Sequence, residues 1–348
     1  LPIQLKPETM AAMTSTQSIL LDPSGALTLQ DSPLPPPGPM QAQVRIEASG
    51  VAYADIVMRA GLYPGVKAPV VPGYDFVGVV EALGEGAEAF AQVGDRVVAV
   101  TVTGSYARAR NVDARWLAPA PTGMPAAQIV AATMNGLTAW QMFHRLARPA
   151  AGESVLIHGA AGGVGSLLLD LARAAGAKAI GTASKGKHAF LEAKGATPID
   201  YRAEDFLART LALSGGGVAA AFDHLGGSHF ARTLKALRPG GVGVVYGAYD
   251  ATKGGKARPL AFLDLLFASS LNSLSLFQAS KGAVGYNVQT GRDSRPEAYR
   301  TDLAALMAGL EAGLLQPEVA AVLPLAQAAQ AHRMLESASV VGKIVLAG

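Results

Sequence analysis

Cysteine is absent from all 348 residues. That excludes disulfides, a thiolate nucleophile and any thiolate-ligated zinc or iron–sulfur centre. Charged side chains make up only 16% of the chain, below the roughly one quarter of ordinary soluble domains. No run of ~18 uncharged apolar residues occurs, so no membrane-spanning helix is expected. The 29 basic residues exceed the 26 acidic ones only slightly, and they are scattered, without the basic run of a nucleic-acid-binding tail. Residues 1–13 carry neither the basic start nor the long apolar stretch of a secretory signal. They are expected to be an N-terminal tail or cloning remnant, with Met10 or Met13 as the natural start. Half of the residues are apolar, enough for a large core, and at ~150 residues per domain the length suggests two domains. A globular, cytoplasmic protein is the expectation.

The first ~130 residues read as β-rich. Alternating runs at Gln43–Ile46, Val77–Glu81 and Arg96–Val100 are separated by turn clusters such as Gly84–Gly86. The proline-rich stretch Ser32–Pro39 reads as a stiff connector between strands. From about Thr133 the period changes. Ser154–His158 is a buried-strand pattern and Val164–Ala175 an Ala/Leu-rich helix. Strand and helix patterns then alternate through Val242–Tyr246. Strands separated by helices imply βαβ units and a parallel sheet covered on both faces. After about residue 278 the pattern changes again, to helices over Pro296–Leu310 and Ala326–Glu336 and a closing strand at Lys343–Leu346.

The first strand–helix junction of that alternation carries Gly159-Ala160-Ala161-Gly162-Gly163-Val164-Gly165. Glycines there permit a tight turn and let backbone N–H groups approach a pyrophosphate at a helix N-terminus. The spacing departs from G-x-G-x-x-G, so position rather than pattern carries the reading. An NAD-selective loop places an acid about 20 residues after the first glycine. Here Ile180 to Lys187 contains no carboxylate, whereas Ser184, Lys185 and Lys187 would attract a 2′-phosphate. NADPH (NADP+) is the expected cofactor.

Val51-Ala52-Tyr53-Ala54-Asp55, Arg59-Ala60-Gly61-Leu62-Tyr63, Pro72-Gly73-Tyr74-Asp75-Phe76, Gly94-Asp95-Arg96-Val97 and the glycine loop occur in order. In this the chain resembles the medium-chain dehydrogenase/reductases, and most of all their zinc-free quinone oxidoreductase branch. Gly181-Thr182-Ala183-Ser184, Pro198-Ile199-Asp200-Tyr201 and Leu225-Gly226-Gly227-Ser228 are similar to the vesicle amine transport protein homologue group. The resemblance implies an α/β architecture: a GroES-like β-rich catalytic domain (14–132 and 279–348) with a Rossmann doubly wound domain (133–278) inserted. It implies that Lys187 and Tyr201 flank the adenosine 2′-phosphate and that Gly162, Gly163 and Val164 meet the pyrophosphate. Asn135 and Thr138 would approach the nicotinamide, while Leu225, Gly226, Tyr246 and Gly247 would close the strand ends. Zinc-dependent relatives carry Cys where this chain has Ala52 and a His-Glu pair at Tyr74-Asp75, so no metal is expected. The six histidines show no H-E-x-x-H spacing and read as packing or loop residues.

Hydride delivery to an already electrophilic acceptor, a quinone or an α,β-unsaturated carbonyl, is the chemistry such a site would perform. Tyr53 is the expected donor to the developing oxyanion or else a pocket wall, with Tyr63, Met134 and Phe277 lining the acceptor pocket. Asp55 is expected to brace its loop or Arg59. No nucleophile–base pattern is legible, so hydrolysis has little support. A homodimer is expected through a strand at Leu271–Phe277, as the resemblance implies. The second reading is a nucleotide-loaded adaptor, associated with membranes or RNA, whose reductase activity is vestigial. An enoyl thioester also stays open as acceptor.

Overall fold

The structure is a computed structural model that describes residues 14–253, 258–267, 273–337 and 340–348. Strands β1 (Thr14–Leu21) and β2 (Leu27–Leu34) form an antiparallel hairpin. β3 (Gln41–Val51), helix α1 (Tyr53–Arg59), β4 (Asp75–Leu83), β5 (Arg96–Val100), β6 (Ala109–Asp113) and β7 (Ala118–Pro119) follow. Helix α2 (Ala126–Gln141) then leads into β8 (Ser154–Ile157), α3 (Gly163–Ala174), β9 (Lys178–Ala183), α4 (His188–Ala193) and β10 (Thr197–Asp200). The alternation continues with α5 (Phe206–Ser214), β11 (Val218–Asp223), α6 (Gly227–Lys235) and β12 (Leu237–Val245). Three helices come next, α7 (Tyr249–Thr252), α8 (Pro259–Phe267) and α9 (Ser273–Ala279), and after them β13 (Gly282–Gly285). The last elements are α10 (Val288–Ser294), α11 (Pro296–Glu311), β14 (Val319–Pro324), α12 (Ala328–Glu336) and β15 (Lys343–Ala347).

Six parallel strands form one sheet in the order β10-β9-β8-β11-β12-β13. β8 and β11 are its centre. Their Val155-Leu156-Ile157 and Ala220-Ala221-Phe222 runs are wholly buried, as strands covered on both faces require. The second sheet runs β14-β15-β3-β4-β5-β7, with β6 also on β3. β15 pairs antiparallel with β3, Ile344 opposite Val51, so the end of the chain completes the sheet that its first third began. Helix α2 joins the two units. It packs against α3 and α11 and against β3 and β4, and Ile129, Val130, Leu137 and Ala139 are fully buried. Among the described residues no helix is long and apolar enough to cross a membrane.

Three expectations change. Leu271 and Asn272 lie outside the described residues, and Ser273 onwards is helix α9 rather than a strand. The run Leu274–Phe277 offers apolar residues at both strand and helix spacing, and such short runs are ambiguous. The edge of the parallel sheet is instead β13, which pairs with β12, so this sheet runs past residue 278. Lastly, Pro33 lies within β2, opposite Ser15, and the stiff connector begins only after Leu34.

Candidate active site

Loops at the carboxyl ends of β8, β11 and β12 converge. Gly159 turns with φ +62°, and a Cβ there would lie 2.6 Å from the His224 ring. A Cβ on Gly247 would sit 2.6 Å from the His224 carbonyl, and one on Gly226 3.1 Å from the Gly247 carbonyl. The three loops therefore touch through glycines. Gly162 is the N-cap of α3 and supplies no side-chain cap, which leaves first-turn N–H groups open to an anion. A Cβ on Gly163 would strike the Asn135 amide, so glycine there lets α2 and the glycine loop close on each other without displacing that side chain. Thr138, one turn further along α2, is buried and lies against Met134.

The ends of β9 and β10 gather cations beside Asp200, the last residue of β10, whose Oδ1 accepts from the Arg202 N–H. Ser184 and Lys187 follow β9, Tyr201 follows β10 and is 53% exposed, and Arg202 is next to it. The Lys187 Nζ donates to the Val340 carbonyl at 2.9 Å. Partial burial and the Arg202 charge hold its pKa below the usual lysine value. Two cations gather here, and no carboxylate lies between Ile180 and Lys187.

Beneath the loops runs a buried hydrogen-bond chain that the sequence did not reveal. Gly159 N–H donates to Thr182 Oγ1 at 3.2 Å, and Thr182 Oγ1 is 3.3 Å from His158 Nδ1. His158 Nε2 is 3.0 Å from Thr233 Oγ1, which donates to Asp223 Oδ2 at 2.7 Å. Because the Thr233 proton goes to Asp223, His158 must donate from Nε2 and accept at Nδ1, the neutral tautomer. Asp223 Oδ2 also accepts from His229 Nδ1 at 2.7 Å, and Oδ1 accepts from Leu225 N–H and Gly226 N–H. The chain thus links the glycine loop to the turn after β11. Among the described residues, His158, Asp223 and His229 are the one group of three side chains spaced to share a metal. In this structure their facing atoms are paired within the protein.

Burial pushes His158 down to about 3, and likewise His332, whose Nε2 lies 3.2 Å from the Tyr106 hydroxyl. Both stay neutral in the fold and take up protons on unfolding below ~6.5. Their stabilisation is therefore complete above that pH and is lost as the pH falls from 6.5 towards 3. Each contributes a slope of up to about 1.4 kcal/mol per pH unit. Thermal melts between pH 8 and 4.5 are expected to show Tm falling below ~6.5, and less steeply in His332→Gln. An equal slope in that variant would contradict the assignment.

The second face of the cleft comes from α1 and the loop before β4. Tyr53 heads α1. Its hydroxyl donates to the Thr252 carbonyl at 2.6 Å, and its ring lies 4.8 Å from that of Tyr249. Asp55 is fully buried and accepts from Ala52 N–H (2.8 Å), the Tyr106 hydroxyl (3.0 Å) and Gly73 N–H (3.1 Å). It braces the loop. Arg59 pairs instead with Glu336 at 2.6 Å. Burial raises the Asp55 carboxyl to about 6 against those donors. Tyr63 and Tyr74 place their hydroxyl oxygens 2.7 Å apart. The neighbouring Asp75 holds the Met134 backbone N–H at 3.0 Å, tying this wall to α2 one residue before Asn135.

A family model described as the alcohol dehydrogenase GroES-like domain matches residues 38–131, and one described as zinc-binding dehydrogenase matches residues 194–346. The synaptic vesicle membrane protein VAT-1 homolog of Rattus norvegicus is 33% identical over 316 residues, covering 90% of this chain and 78% of that protein. The probable quinone oxidoreductase of Schizosaccharomyces pombe is 32% identical over 326 residues, 93% of this chain and 94% of its own length. The solved structure of a mycobacterial protein complexed with NADPH matches with a TM-score of 0.82 at 29% identity, over 96% of this chain and 100% of that one. The chain belongs to the zinc-free, quinone oxidoreductase-like medium-chain dehydrogenase/reductases.

In this member of the branch, the positions at which zinc-dependent relatives carry Cys and His hold Ala52 and Tyr74, 3% and 4% exposed. The structure brings Asn135 against Gly163 and gathers Gly162, Val164, Leu225, Gly226, Tyr246 and Gly247 at the strand ends. Tyr63, Met134 and Tyr246 pack on one apolar cluster. Phe277 lies on α9 and is 79% exposed in the single chain. Sequence reasoning missed the Asp223 network, the Tyr63–Tyr74 pair and Arg202. For Arg202 there was a signal, its place beside Tyr201 at a strand end. The others have no sequence spacing of their own, because a loop brings Tyr63 to Tyr74 and the fold brings His158 to Thr182 and Thr233, 24 and 75 residues away.

Proposed function

We propose that this protein reduces a quinone or an α,β-unsaturated carbonyl with NADPH. The observation that carries the reading is the end of β9, where the acid of an NAD-selective loop is missing and Lys187 lies within reach of the Arg202 charge. The glycine cradle supports it: three loops that admit no Cβ where a pyrophosphate would pass, above an uncapped helix N-terminus. In this reading Gly162, Gly163 and Val164 hold the pyrophosphate, and Ser184, Lys187 and Tyr201 hold the 2′-phosphate end. Asn135, Thr138, Leu225, Gly226, Tyr246 and Gly247 hold the nicotinamide end. Bound there, the dinucleotide supplies the hydride. The similarity to quinone oxidoreductases favours a quinone; Tyr53, Tyr63 and Met134 form the acceptor wall. Because the Tyr53 hydroxyl proton is engaged by Thr252, Tyr53 acts as a wall that fastens α1 to α7.

Three further assignments go with this reading. Residues 14–132 and the chain after β13 serve as the catalytic domain around an inserted nucleotide domain, whose sheet extends through β13. Two copies pair along the β13 edge, where Phe277 of α9 stands exposed. The protein works in the cytoplasm. The purified protein is expected to oxidise NADPH at least tenfold faster than NADH at equal subsaturating concentration, and only with a quinone, enone or enal added. No turnover with any acceptor in a panel that includes an enoyl thioester would remove the reading.

A further inference from the structure

The Tyr63–Tyr74 pair has the form of a donor waiting for an oxygen. Two hydroxyls 2.7 Å apart spend one proton on each other and keep one to give. Tyr74 is buried and Tyr63 half-buried, so the arrangement that leaves the spare proton towards the cleft has Tyr74 donating to Tyr63. The rings meet edge to face, with centroids 6.3 Å apart, which fixes the direction of both C–O bonds. Behind them stands Arg292, 4% exposed. Its guanidinium lies 3.8 Å from the centre of the Trp116 ring and donates to the Val100 carbonyl at 2.8 Å. It also pairs with Asp293 at 2.7 Å, and its charge acts on both hydroxyls less strongly than that of the buried Asp55. A donor whose direction is fixed by a paired hydroxyl is what stabilises a charge that develops in front of it.

We propose that Tyr63, polarised by Tyr74, is the hydrogen-bond donor to the carbonyl oxygen of the acceptor, at the position where zinc-dependent relatives use a metal. The proposal rests on the reductase reading above. Hydride from the reduced nicotinamide adds to the conjugated acceptor, and the displaced π pair collects on the carbonyl oxygen. That oxyanion accepts the Tyr63 hydrogen bond and takes one proton from water, completing a two-electron reduction. No proton leaves the tyrosines. Burial raises both hydroxyls, Tyr74 the more, so they remain neutral donors instead of becoming acids. Tyr63 is then a catalytic residue and Tyr74 a positioning residue that acts through it.

The test separates this proposal from the reading it rests on. 4-Nitrophenolate, a stable mimic of the oxyanion, is titrated into the full chain with and without NADP+ and followed by its absorbance. Wild type is expected to bind it. Tyr63→Phe and Tyr74→Phe are each expected to bind about tenfold or more weakly, the worth of a hydrogen bond to a charged group. Phenylalanine keeps both rings in place, and an unchanged melting temperature confirms the fold. With NADPH and a quinone, both variants are expected to lose about tenfold in kcat with the KM for NADPH unaltered. Failure of wild type to bind the probe, or wild-type affinity in Tyr74→Phe, overturns the pair. Normal probe binding without turnover of any acceptor overturns the reductase reading alone.

Discussion

Replacing Lys187 by alanine is expected to raise the KM for NADPH about tenfold to a hundredfold and to leave that for NADH within about twofold. A hydrogen bond to a charged group is worth ~1.5–3 kcal/mol, and each ~1.4 kcal/mol is a factor of ten. The difference between the two cofactors is one phosphate, so the loss should fall on one of them only. Lys187→Glu goes further, since it adds repulsion where attraction was. The structure supplies a competing role, because the Lys187 Nζ holds the Val340 carbonyl at 2.9 Å. A lysine that merely fastened the segment around Val340 would shift the melting temperature and alter both KM values alike. Steady-state kinetics with each cofactor, beside a thermal melt, tell the two apart. Arg202→Ala should show the same selectivity at a smaller scale, because Arg202 is a second cation at the same strand ends.

The nucleotide half of this site was legible because its chemistry is local. A tight turn, a helix N-terminus and the end of the next strand all fall within ~30 residues of one βαβ unit, whereas Tyr201 and Arg202 follow the next strand and were placed by resemblance or missed. The acceptor half was less so. For Tyr53 the resemblance leaves donor and pocket wall both open, and the contact that bears on the choice, with Thr252, spans 199 positions. Tyr74 drew notice only for the zinc ligand it does not supply, and its bond to Tyr63 depends on how the loop before β4 folds back over α1. The error at Leu271–Phe277 has a different origin. The run Leu-Asn-Ser-Leu-Ser-Leu-Phe alternates partly, but Leu274 and Phe277 are also three apart, the spacing of one helix face. Leu274 is 57% exposed and Phe277 79%, so no burial within the single chain decides between them. The strand that does form the edge, Gly-Ala-Val-Gly of β13, is too short and glycine-rich to read as one. It exists because β12 offers it a partner.

Removing the Asp223 carboxylate should cost more than any other single change considered. Asp223→Ala is expected to destabilise the protein by ~3–5 kcal/mol, the usual penalty for breaking a buried charged network from one side. The donors left behind are the Leu225 and Gly226 N–H groups, the Thr233 hydroxyl and His229 Nδ1, and at a fully buried position water cannot replace the lost acceptor cheaply. Burial alone would raise the Asp223 pKa. The hydrogen bond from His229, the nearby His158 and the Thr233 hydroxyl outweigh burial and hold it well below the carboxylate range. Its contribution is therefore present above the unfolded carboxylate pKa and is lost only in stronger acid. It titrates in a range below that in which His158 and His332 begin to lose theirs. Asp223→Asn keeps the shape and one acceptor oxygen, so it should lose less stability. It should still misplace the Leu225–Gly226 turn, because an amide cannot accept on both sides. Urea unfolding of the two variants measures the first effect and the dissociation constant for NADPH the second. A variant Asp223→Asn with wild-type stability but weaker NADPH binding would show that the chain from Gly159 to Gly226 positions the cofactor loops. Wild-type behaviour of Asp223→Ala in both measurements would show that the chain does not hold these loops.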